Sequence, residues 1–269
     1  MTQTIFITGA STGLGRATAL LFASKGWKVI ATMRSPEKES ELGKSAGITL
    51  MPLDVTKPAQ IKDTAAKALA MGPIDVVFNN AGYGLAGAFE GATDEQLVDE
   101  INTNLLGVMR VTQAFLPALR ERKSGTIITT TSIGGLVAFP FNSVYHATKW
   151  ALEGWSESVA FEMEPFGVKV KTIAPGGIAT DFASRSLVFT PHPAYMEAIG
   201  KTMAAFRNPN RGPSGSTAEQ IADAVWEAVH DQADHITYVA GADAKANYAR
   251  RLEVGIDAFR AGIRQMFLG

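Results

Sequence analysis

The N-terminal segment combines a short apolar strand, a glycine-rich turn and a helical run, an order that few folds accommodate. Thr4-Ile5-Phe6-Ile7 is typical of a buried strand, and the Ala- and Leu-rich run from Arg16 to Ser24 is typical of a helix. In such a turn, glycines let the backbone approach a pyrophosphate, and the first N–H groups of the helix stabilise its charge. The spacing is G-x-x-x-G-x-G rather than the general G-x-G-x-x-G, and a tight turn without a ligand is the alternative. The predicted phosphate-binding residues are Gly9, Ser11, Thr12, Gly13, Leu14 and Gly15.

Strand-like and helix-like segments alternate along the chain, without repeats or low-complexity linkers. This alternation predicts an α/β fold, a doubly wound and mostly parallel seven-stranded sheet of the Rossmann type with helices on both faces. Ligands bind such a sheet at the carboxyl ends of its strands, where the motifs of this chain fall. The predicted strands are Thr4 to Thr8, Lys28 to Thr32, Ile48 to Leu53, Asp75 to Asn79, Thr126 to Thr131, Lys169 to Ala174 and His235 to Val239.

Length and composition indicate one domain over residues 1–269, because 46% hydrophobic residues can fill a two-sided core. A net charge of −1 disfavours nucleic-acid binding. The chain has no cysteine and four scattered histidines, so disulfides and thiol nucleophiles are excluded and no metal site is expected. The first strand follows Met1 closely and no apolar stretch approaches ~20 residues, so we expect a cytoplasmic protein without membrane contact.

Tyr145 and Lys149 form a pair that fits proton transfer to or from an alcohol or ketone. If the run from Asn142 to Phe161 is helical, the phenol and the ammonium lie four residues apart on one face. A nearby cation favours the phenolate, which would lower the pKa of Tyr145 from its ordinary value near ~10. Ser132 would hold a substrate oxygen at the phenol. The alternative is a surface pair, since both side chains commonly extend along amphipathic helices.

Six motifs follow one another in a characteristic order: Thr8-Gly9-x-x-x-Gly13-x-Gly15, Asn79-Asn80-Ala81-Gly82, Asn104, Ser132, Tyr145-x-x-x-Lys149 and Pro175-Gly176. With these motifs the chain resembles the short-chain dehydrogenase/reductase family from about Thr4 to about Tyr238. Within that family it is similar to the NADP-preferring carbonyl reductases and hydroxysteroid dehydrogenases.

The resemblance implies a catalytic tetrad of Asn104, Ser132, Tyr145 and Lys149. Tyr145 would be the general acid in ketone reduction and the base in alcohol oxidation, and Ser132 would polarise the carbonyl oxygen. Lys149 would lower the pKa of Tyr145 and hold the nicotinamide ribose. Asn104 would position a water that links Lys149 to solvent, although an Asn that bends or caps a helix is the alternative for this residue.

Cofactor preference is encoded after the second predicted strand. An NAD site usually has an acidic residue there, whereas this chain has Arg34 and Ser35. A cation and a hydroxyl suit a 2′-phosphate, so we expect NADP rather than NAD, the alternative being that Arg34 is a solvated loop residue.

The resemblance implies further cofactor contacts along the carboxyl edge of the sheet. Asp54 and Val55 would frame the adenine, Asn80 would lie near its ribose and Thr180 would meet the nicotinamide carboxamide. Asp54 is also compatible with a simple turn before Pro58. The other predicted contacts are Ala81, Gly82, Tyr145, Lys149, Pro175, Gly176 and Ile178.

Two segments carry the substrate and partner predictions. Residues 181–216 are rich in proline and apolar side chains and predict a substrate loop or lid. Residues 243–269 predict a C-terminal amphipathic helix that closes the cleft or packs against a subunit. The resemblance implies a homodimer and in some members a tetramer. An apolar pocket is expected from Tyr83, Val137, Phe139 and Phe141, although packing as ordinary core is an equal alternative.

These observations predict an NADP-dependent reductase of hydrophobic ketones, or a secondary-alcohol dehydrogenase, with Tyr145 as general acid and base. His146 would point away from the site and is interpreted as a structural or interface residue. Two alternatives remain: a catalytically silent NADP-binding redox sensor, and an epimerase or dehydratase on the same scaffold.

Overall fold

Strands and helices alternate in the computed structural model, which describes residues 2–179, 187–208, 215–231 and 233–269. The strands are β1 Thr4–Ile7, β2 Lys28–Met33, β3 Ile48–Pro52, β4 Val76–Asn79, β5 Gly84–Gly87, β6 Gly125–Thr130, β7 Val168–Pro175, β8 Ile178–Ala179, β9 Leu187–Thr190, β10 Ser216–Thr217 and β11 Thr237–Ala240. The helices are α1 Gly13–Ser24, α2 Pro58–Ala70, α3 Asp94–Ile101, α4 Gly107–Arg122, α5 Ser143–Met163, α6 Met196–Arg207, α7 Ala218–His230, α8 Ala242–Val254 and α9 Ile256–Leu268. Among these helices, none combines the length and the apolar content that crossing a membrane requires.

Seven of the described strands form one sheet in the order β11-β7-β6-β4-β1-β2-β3, and every neighbouring pair is parallel. The predicted seven-stranded, doubly wound sheet is therefore confirmed. The chain builds outward from β1 to β3 and then returns to the other side of β1 with β4. Ligands bind parallel sheets at such a reversal, outside the carboxyl ends of the strands.

Both faces of the sheet are buried, which explains why its strands are continuous apolar runs rather than alternating ones. Ile5 and Ile7 point to a core shared with α1 and α7, whereas Phe6 points to a core shared with α2, α4 and α5. Because successive side chains of a strand face opposite sides, one short apolar strand supplies both cores. This packing fixes the carboxyl ends of β1, β4 and β6 at one edge.

The segment predicted as a lid is more regular than its proline content indicates. Strand β9 pairs in parallel with β5, which follows the Asn-Asn-Ala-Gly motif, and the twelve-residue helix α6 comes next. The sequence reading missed α6, although Glu197 and Lys201 form an ion pair at 3.1 Å across one of its turns. Thr180, Phe182, Pro209 and Pro213 lie outside the described residues.

The C-terminal extension is two helices rather than the single helix that was predicted. Gly255, with φ +78° and ψ 170°, separates α8 from α9, and this positive-φ conformation, which glycine adopts without strain, ends the first helix. Only the second half of the predicted apolar stripe is buried, against Ile133 and Val137 of the same chain. The buried residues of α9 are Phe259, Ile263 and Phe267. Leu252 and Ile256 are exposed.

Candidate active site

The glycine-rich turn is packed so tightly that side chains would not fit in it. Gly9 has φ +67° and a Cβ there would lie 2.8 Å from Ala81 Cα, while a Cβ at Gly15 would overlap the carbonyl of Gly9. Helix α1 begins at Gly13 with no side-chain cap from Thr12 and no acidic residue in its first turn. Its positive end therefore fits a pyrophosphate. The other predicted residues of the turn are half-buried Ser11 and buried Leu14.

Asn80 braces the turn from the neighbouring strand. Its Nδ2 donates to the carbonyl oxygens of Thr8 and Gly9, both at 3.1 Å. Thr8 Oγ1 accepts from the backbone N–H groups of Asn80 at 2.9 Å and Ala81 at 3.0 Å. These bonds lock the ends of β1 and β4 together. That Asn80 lies near the adenine ribose stays a prediction. Its side-chain nitrogen already donates to two backbone carbonyl oxygens of the protein.

The end of β2 presents the predicted phosphate-binding side chains to solvent. Arg34 is exposed and Ser35 is half-buried. Asp54 Oδ1 accepts hydrogen bonds from Thr56 N at 2.9 Å and Thr56 Oγ1 at 2.7 Å, so Asp54 does begin a turn. Although burial acts to raise it, the pKa of Asp54 is lowered by these bonds and by the charges of Lys57 and Arg34. The charge of Arg34 therefore acts on the Asp54 turn.

Ser132, Tyr145 and Lys149 come together at the carboxyl end of β6. The strand ends at Thr130, and Ser132 Oγ accepts from Gly134 N at 3.0 Å, which fixes the serine side chain. Lys149 Nζ donates to the Thr130 carbonyl at 2.9 Å and lies 5.6 Å from the centre of the Tyr145 ring. Helix α5 thus places the phenol and the ammonium one turn apart, as the spacing predicted.

The electrostatics of this pair differ from the sequence prediction. Burial raises the pKa of Tyr145 to about 12, a hydrogen bond with Ser132 opposes the rise, and the Glu100 carboxylate adds to it. Burial lowers the pKa of Lys149 to about 8, against the attraction of Glu100 and Glu153. In the protein alone the pKa of Tyr145 is raised rather than lowered as predicted, because burial outweighs the effect of Ser132.

Asn104 lies at a break in a helix. Residues Asn102–Leu106 form a π-helical turn between α3 and α4, a rare geometry that is frequent at functional sites. Asn104 is fully buried, its Oδ1 accepts from Tyr83 N at 3.0 Å and its Nδ2 donates to Tyr83 O at 2.7 Å. A Cβ on the neighbouring Gly82 would lie 3.8 Å from Lys149 Nζ. Asn104 therefore holds the loop that borders Lys149.

Asp243 is a site residue that the sequence reading missed. Its Oδ2 accepts from Gly177 N at 2.7 Å, and its carboxylate fills the space that a Cβ of Gly176 would occupy. Asp243 thus fixes the turn after Pro175, at the carboxyl end of β7. Its position in the first turn of α8 was the available signal, but pairing over such a distance in sequence requires the fold.

The apolar residues predicted to line a pocket divide into two groups. Val137 is fully buried in the core beneath α9, as the alternative interpretation held. Phe141 and Tyr83 remain half-buried beside the site. Phe141 has φ +59°, which strains a bulky residue, and its carbonyl accepts from Gly87 N at 2.8 Å. Strain held in this way is common at ligand-binding positions.

His146 is structural. It is 8% exposed, its ring lies against Gly134, and burial lowers its pKa to about 4. It is therefore neutral at physiological pH. The described residues contain no grouping of three or more His, Cys, Asp or Glu side chains that could hold a metal ion.

The order of motifs, the sheet and the site define a class of protein, and a family comparison agrees. A family model described as short chain dehydrogenase matches residues 3–187. The chain belongs to the short-chain dehydrogenase/reductase family and is an oxidoreductase. It is 33% identical to retinol dehydrogenase 8 of Homo sapiens over 217 residues, which cover 77% of this chain and 68% of that protein.

Solved structures show the same architecture. A short-chain dehydrogenase from Streptomyces avermitilis matches with a TM-score of 0.85 and 35% identity, over 98% of this chain and 96% of that one. The protein ElxO with NADP bound matches with a TM-score of 0.77 and 25% identity, over 91% of this chain and all of that one (100%). A relative of this fold therefore binds a nicotinamide cofactor.

Proposed function

We propose that the protein is an NADPH-dependent reductase of hydrophobic ketones that also oxidises the corresponding secondary alcohols. The observation that carries the proposal is the convergence of Ser132, Tyr145 and Lys149 at the carboxyl end of β6, with Lys149 Nζ 5.6 Å from the centre of the half-buried Tyr145 ring. A group with a pKa near 12 is protonated at neutral pH, so it is ready to donate. The protonated phenol is the form that reduction of a ketone requires.

Each side chain of the site has a chemical task in this reaction. NADPH, when bound, supplies the hydride to the carbonyl carbon. The Tyr145 O–H bond breaks and its proton forms the new alcohol O–H, while the Ser132 hydroxyl donates a hydrogen bond to the same oxygen. The Lys149 ammonium stabilises the phenolate that remains. Asn104 forms two hydrogen bonds with the Tyr83 backbone, and so holds in place the loop that borders Lys149.

NADP is favoured over NAD because a cation and a hydroxyl follow β2. Arg34 can form two parallel hydrogen bonds to a 2′-phosphate, and the ordered Asp54 turn lies within its electrostatic reach. The pyrophosphate would lie at the N-terminus of α1, and the turn held by Asp243 would border the nicotinamide side. The NADP in ElxO supports this proposal.

A hydrophobic substrate is favoured by the side chains beside the proton donor. Tyr83, Phe139 and Phe141 are half-buried. Phe139 and Phe141 lie on the segment between Ser132 and Tyr145, the Tyr83 backbone is bonded to Asn104, and Phe267 packs against Phe139. Lys149 lies 5.6 Å from the centre of the phenol ring and is used by the mechanism, and Glu100, whose charge acts on the phenol, is fully buried. A bulky apolar ketone fits this lining better than a charged sugar. The name of retinol dehydrogenase 8 is consistent with this substrate class.

The variant Tyr145→Phe tests the function. We expect NADPH oxidation with an aryl or steroid ketone to fall by at least about 10³-fold, because no other donor replaces the phenol, while NADPH still binds. Wild-type protein and Ser124→Ala, a change at an exposed position, are the active references. Normal turnover by Tyr145→Phe would refute the role. Tight NADPH binding by the wild type without oxidation of any ketone would favour a sensor.

The variant Arg34→Ala tests the cofactor preference. Loss of a charge-assisted contact to the 2′-phosphate costs about 1.5–3 kcal/mol, so the Kd for NADPH should rise by about 10–100-fold and the Kd for NADH should stay constant. Lys28→Ala removes an exposed cation at the other end of β2 and is the matched control. Equal effects on both cofactors would contradict the assignment.

The homodimer and the cytoplasmic location stay predictions of the sequence. Phe161 on α5 is 74% exposed, which suits a helix that packs against a second copy. Sedimentation of wild type and Phe161→Glu measures this directly, and we expect the charged variant to be monomeric. A monomeric wild type would contradict the dimer.

A further inference from the structure

Glu100 is a buried carboxyl group beside the site that the proposed mechanism leaves without a task. It lies in the last turn of α3 with 0% exposure, and its Oε1 accepts from Asn104 Nδ2 at 3.2 Å. Its Oε2 is buried and forms no well-aligned hydrogen bond with the described residues, although the Leu85 backbone N–H acts on the carboxyl group. Buried carboxyl oxygens normally have partners, so this one requires a physical reason.

The ionisable groups that face Glu100 belong to the proposed active site. Helix α5 contributes Lys149 and Tyr145, and the loop after β4 contributes Tyr83. Strand β5 and the π-helical turn, which also pack against α3, contain no ionisable side chain. The carboxyl group of Glu100 therefore acts on Lys149 and Tyr145 without competition from those two elements.

The charge of Glu100 changes near neutral pH. Burial raises its pKa to about 7, while a hydrogen bond from the Leu85 backbone and the charge of Lys149 oppose the rise. Conversely, the ionised carboxylate raises the pKa values of Lys149 and Tyr145. The geometry and the charges thus couple three groups that the sequence places on two different helices.

We propose that Glu100 is a positioning residue of the proton-transfer site: it holds the Asn104 amide, and its charge sets the protonation of Lys149 and Tyr145. The proposal rests on the proposed function. An ionised Glu100 favours the Lys149 cation and the protonated phenol, the form that donates to a ketone. A neutral Glu100 makes the phenolate easier to reach, which assists alcohol oxidation.

Three variants separate the hydrogen bond between Glu100 and Asn104 from the effect of the Glu100 charge. Glu100→Gln keeps an acceptor oxygen for Asn104 and removes the charge, whereas Glu100→Leu removes both. Asp99→Asn removes a carboxylate from the adjacent, exposed position and is the matched control. Thermal melting and NADPH binding verify that each variant is folded.

Alcohol oxidation with NADP⁺ between pH 6 and pH 9 is the decisive assay. Because a unit charge in a partly dry site changes a nearby pKa by about one unit, we expect kcat/KM of Glu100→Gln over wild type to rise from about one at pH 6 to about tenfold at pH 9. Asp99→Asn should give a ratio near one throughout. Glu100→Leu should lose kcat, and Glu100→Gln should restore it. A Glu100→Gln ratio that does not change with pH, or a loss at pH 9, overturns the proposal.

A second measurement does not depend on turnover. Carbon-13 NMR of the Glu carboxyl and Lys Cε groups follows Glu100 and Lys149 directly. We expect one carboxyl group to titrate near neutral pH in the wild type and this titration to be absent in Glu100→Gln. In that variant Lys149 should titrate at a lower pH. If the wild type converts no substrate, the proposed function fails while this titration still decides the role of Glu100. A Lys149 titration that is the same in Glu100→Gln as in the wild type overturns the proposed role of Glu100.

Discussion

Phe267 holds helix α9 on the segment that follows Ser132, so its removal connects stability with substrate binding. The side chain is 1% exposed, and its ring centre lies 4.8 Å from that of Phe206 and 5.9 Å from that of Phe139. Phe267→Ala leaves a cavity at this contact. Such a truncation costs about 3–5 kcal/mol, of which two aromatic contacts contribute about 0.5–1.5 kcal/mol each.

This cost is large enough to measure by calorimetry. At about 2–4 °C per kcal/mol for a domain somewhat smaller than this chain, Tm should fall by roughly 6–20 °C. Leu252→Ala, at an apolar position of α8 that is 68% exposed, should stay within about 0.5 kcal/mol of the wild type and is the control. A Tm for Phe267→Ala within the error of the control would show that α9 is not docked as described.

Kinetic and binding constants of Phe267→Ala show whether the change is confined to the substrate wall. Because Phe139 loses its support, KM for a bulky ketone should rise by about tenfold or more, whereas the Kd for NADPH should not change, since the glycine-rich turn lies on the other side of the sheet reversal. An equal loss of affinity for NADPH would refute the reasoning, because it would indicate general unfolding rather than a local change in the substrate wall.

Two further predictions concern the cofactor turn and acid stability. Asp243→Ala removes a charge-assisted hydrogen bond to Gly177 worth about 1.5–3 kcal/mol, so the Kd for NADPH, measured by fluorescence, should rise by up to about 100-fold; an unchanged Kd would contradict the role. The His146 pKa falls from 6.5 unfolded to about 4 folded, so stability is lost as pH falls below 6.5, by about 3 kcal/mol at pH 4. Urea unfolding of His146→Gln should lack this component, and an identical pH dependence would exclude it.

The sequence allowed the sheet to be predicted because its strands are uninterrupted apolar runs that both faces bury. It did not reveal β5, since Gly84 to Gly87 contain no β-branched residue and pair only through their backbone with β9. Helix α6 was missed because the flanking prolines indicated a loop more strongly than the ion pair Glu197–Lys201 indicated a helix.

For the site, local spacing was enough for Tyr145 and Lys149, which share one helix. Glu100 and Asp243 were missed because their partners are placed by the fold, and a carboxylate at a helix terminus has many other uses. The sign of the Tyr145 pKa shift was wrong because spacing along a helix reports the distance to a cation but not how much water the surrounding chain removes.

The contact of Phe139, Phe206 and Phe267 joins three parts of the chain: the segment after β6, helix α6 and the last turn of α9. Two of these parts lie beyond residue 187, where the family model ends. The residues of the proposed proton transfer and the helices α6 and α9 that pack on Phe139 thus lie in separate stretches of the sequence. If the proposed function holds, exchange of α6 and of the last turns of α9 would change which ketone fits, while the proton donor, the glycine-rich turn and Asp243 at the start of α8 stay unchanged.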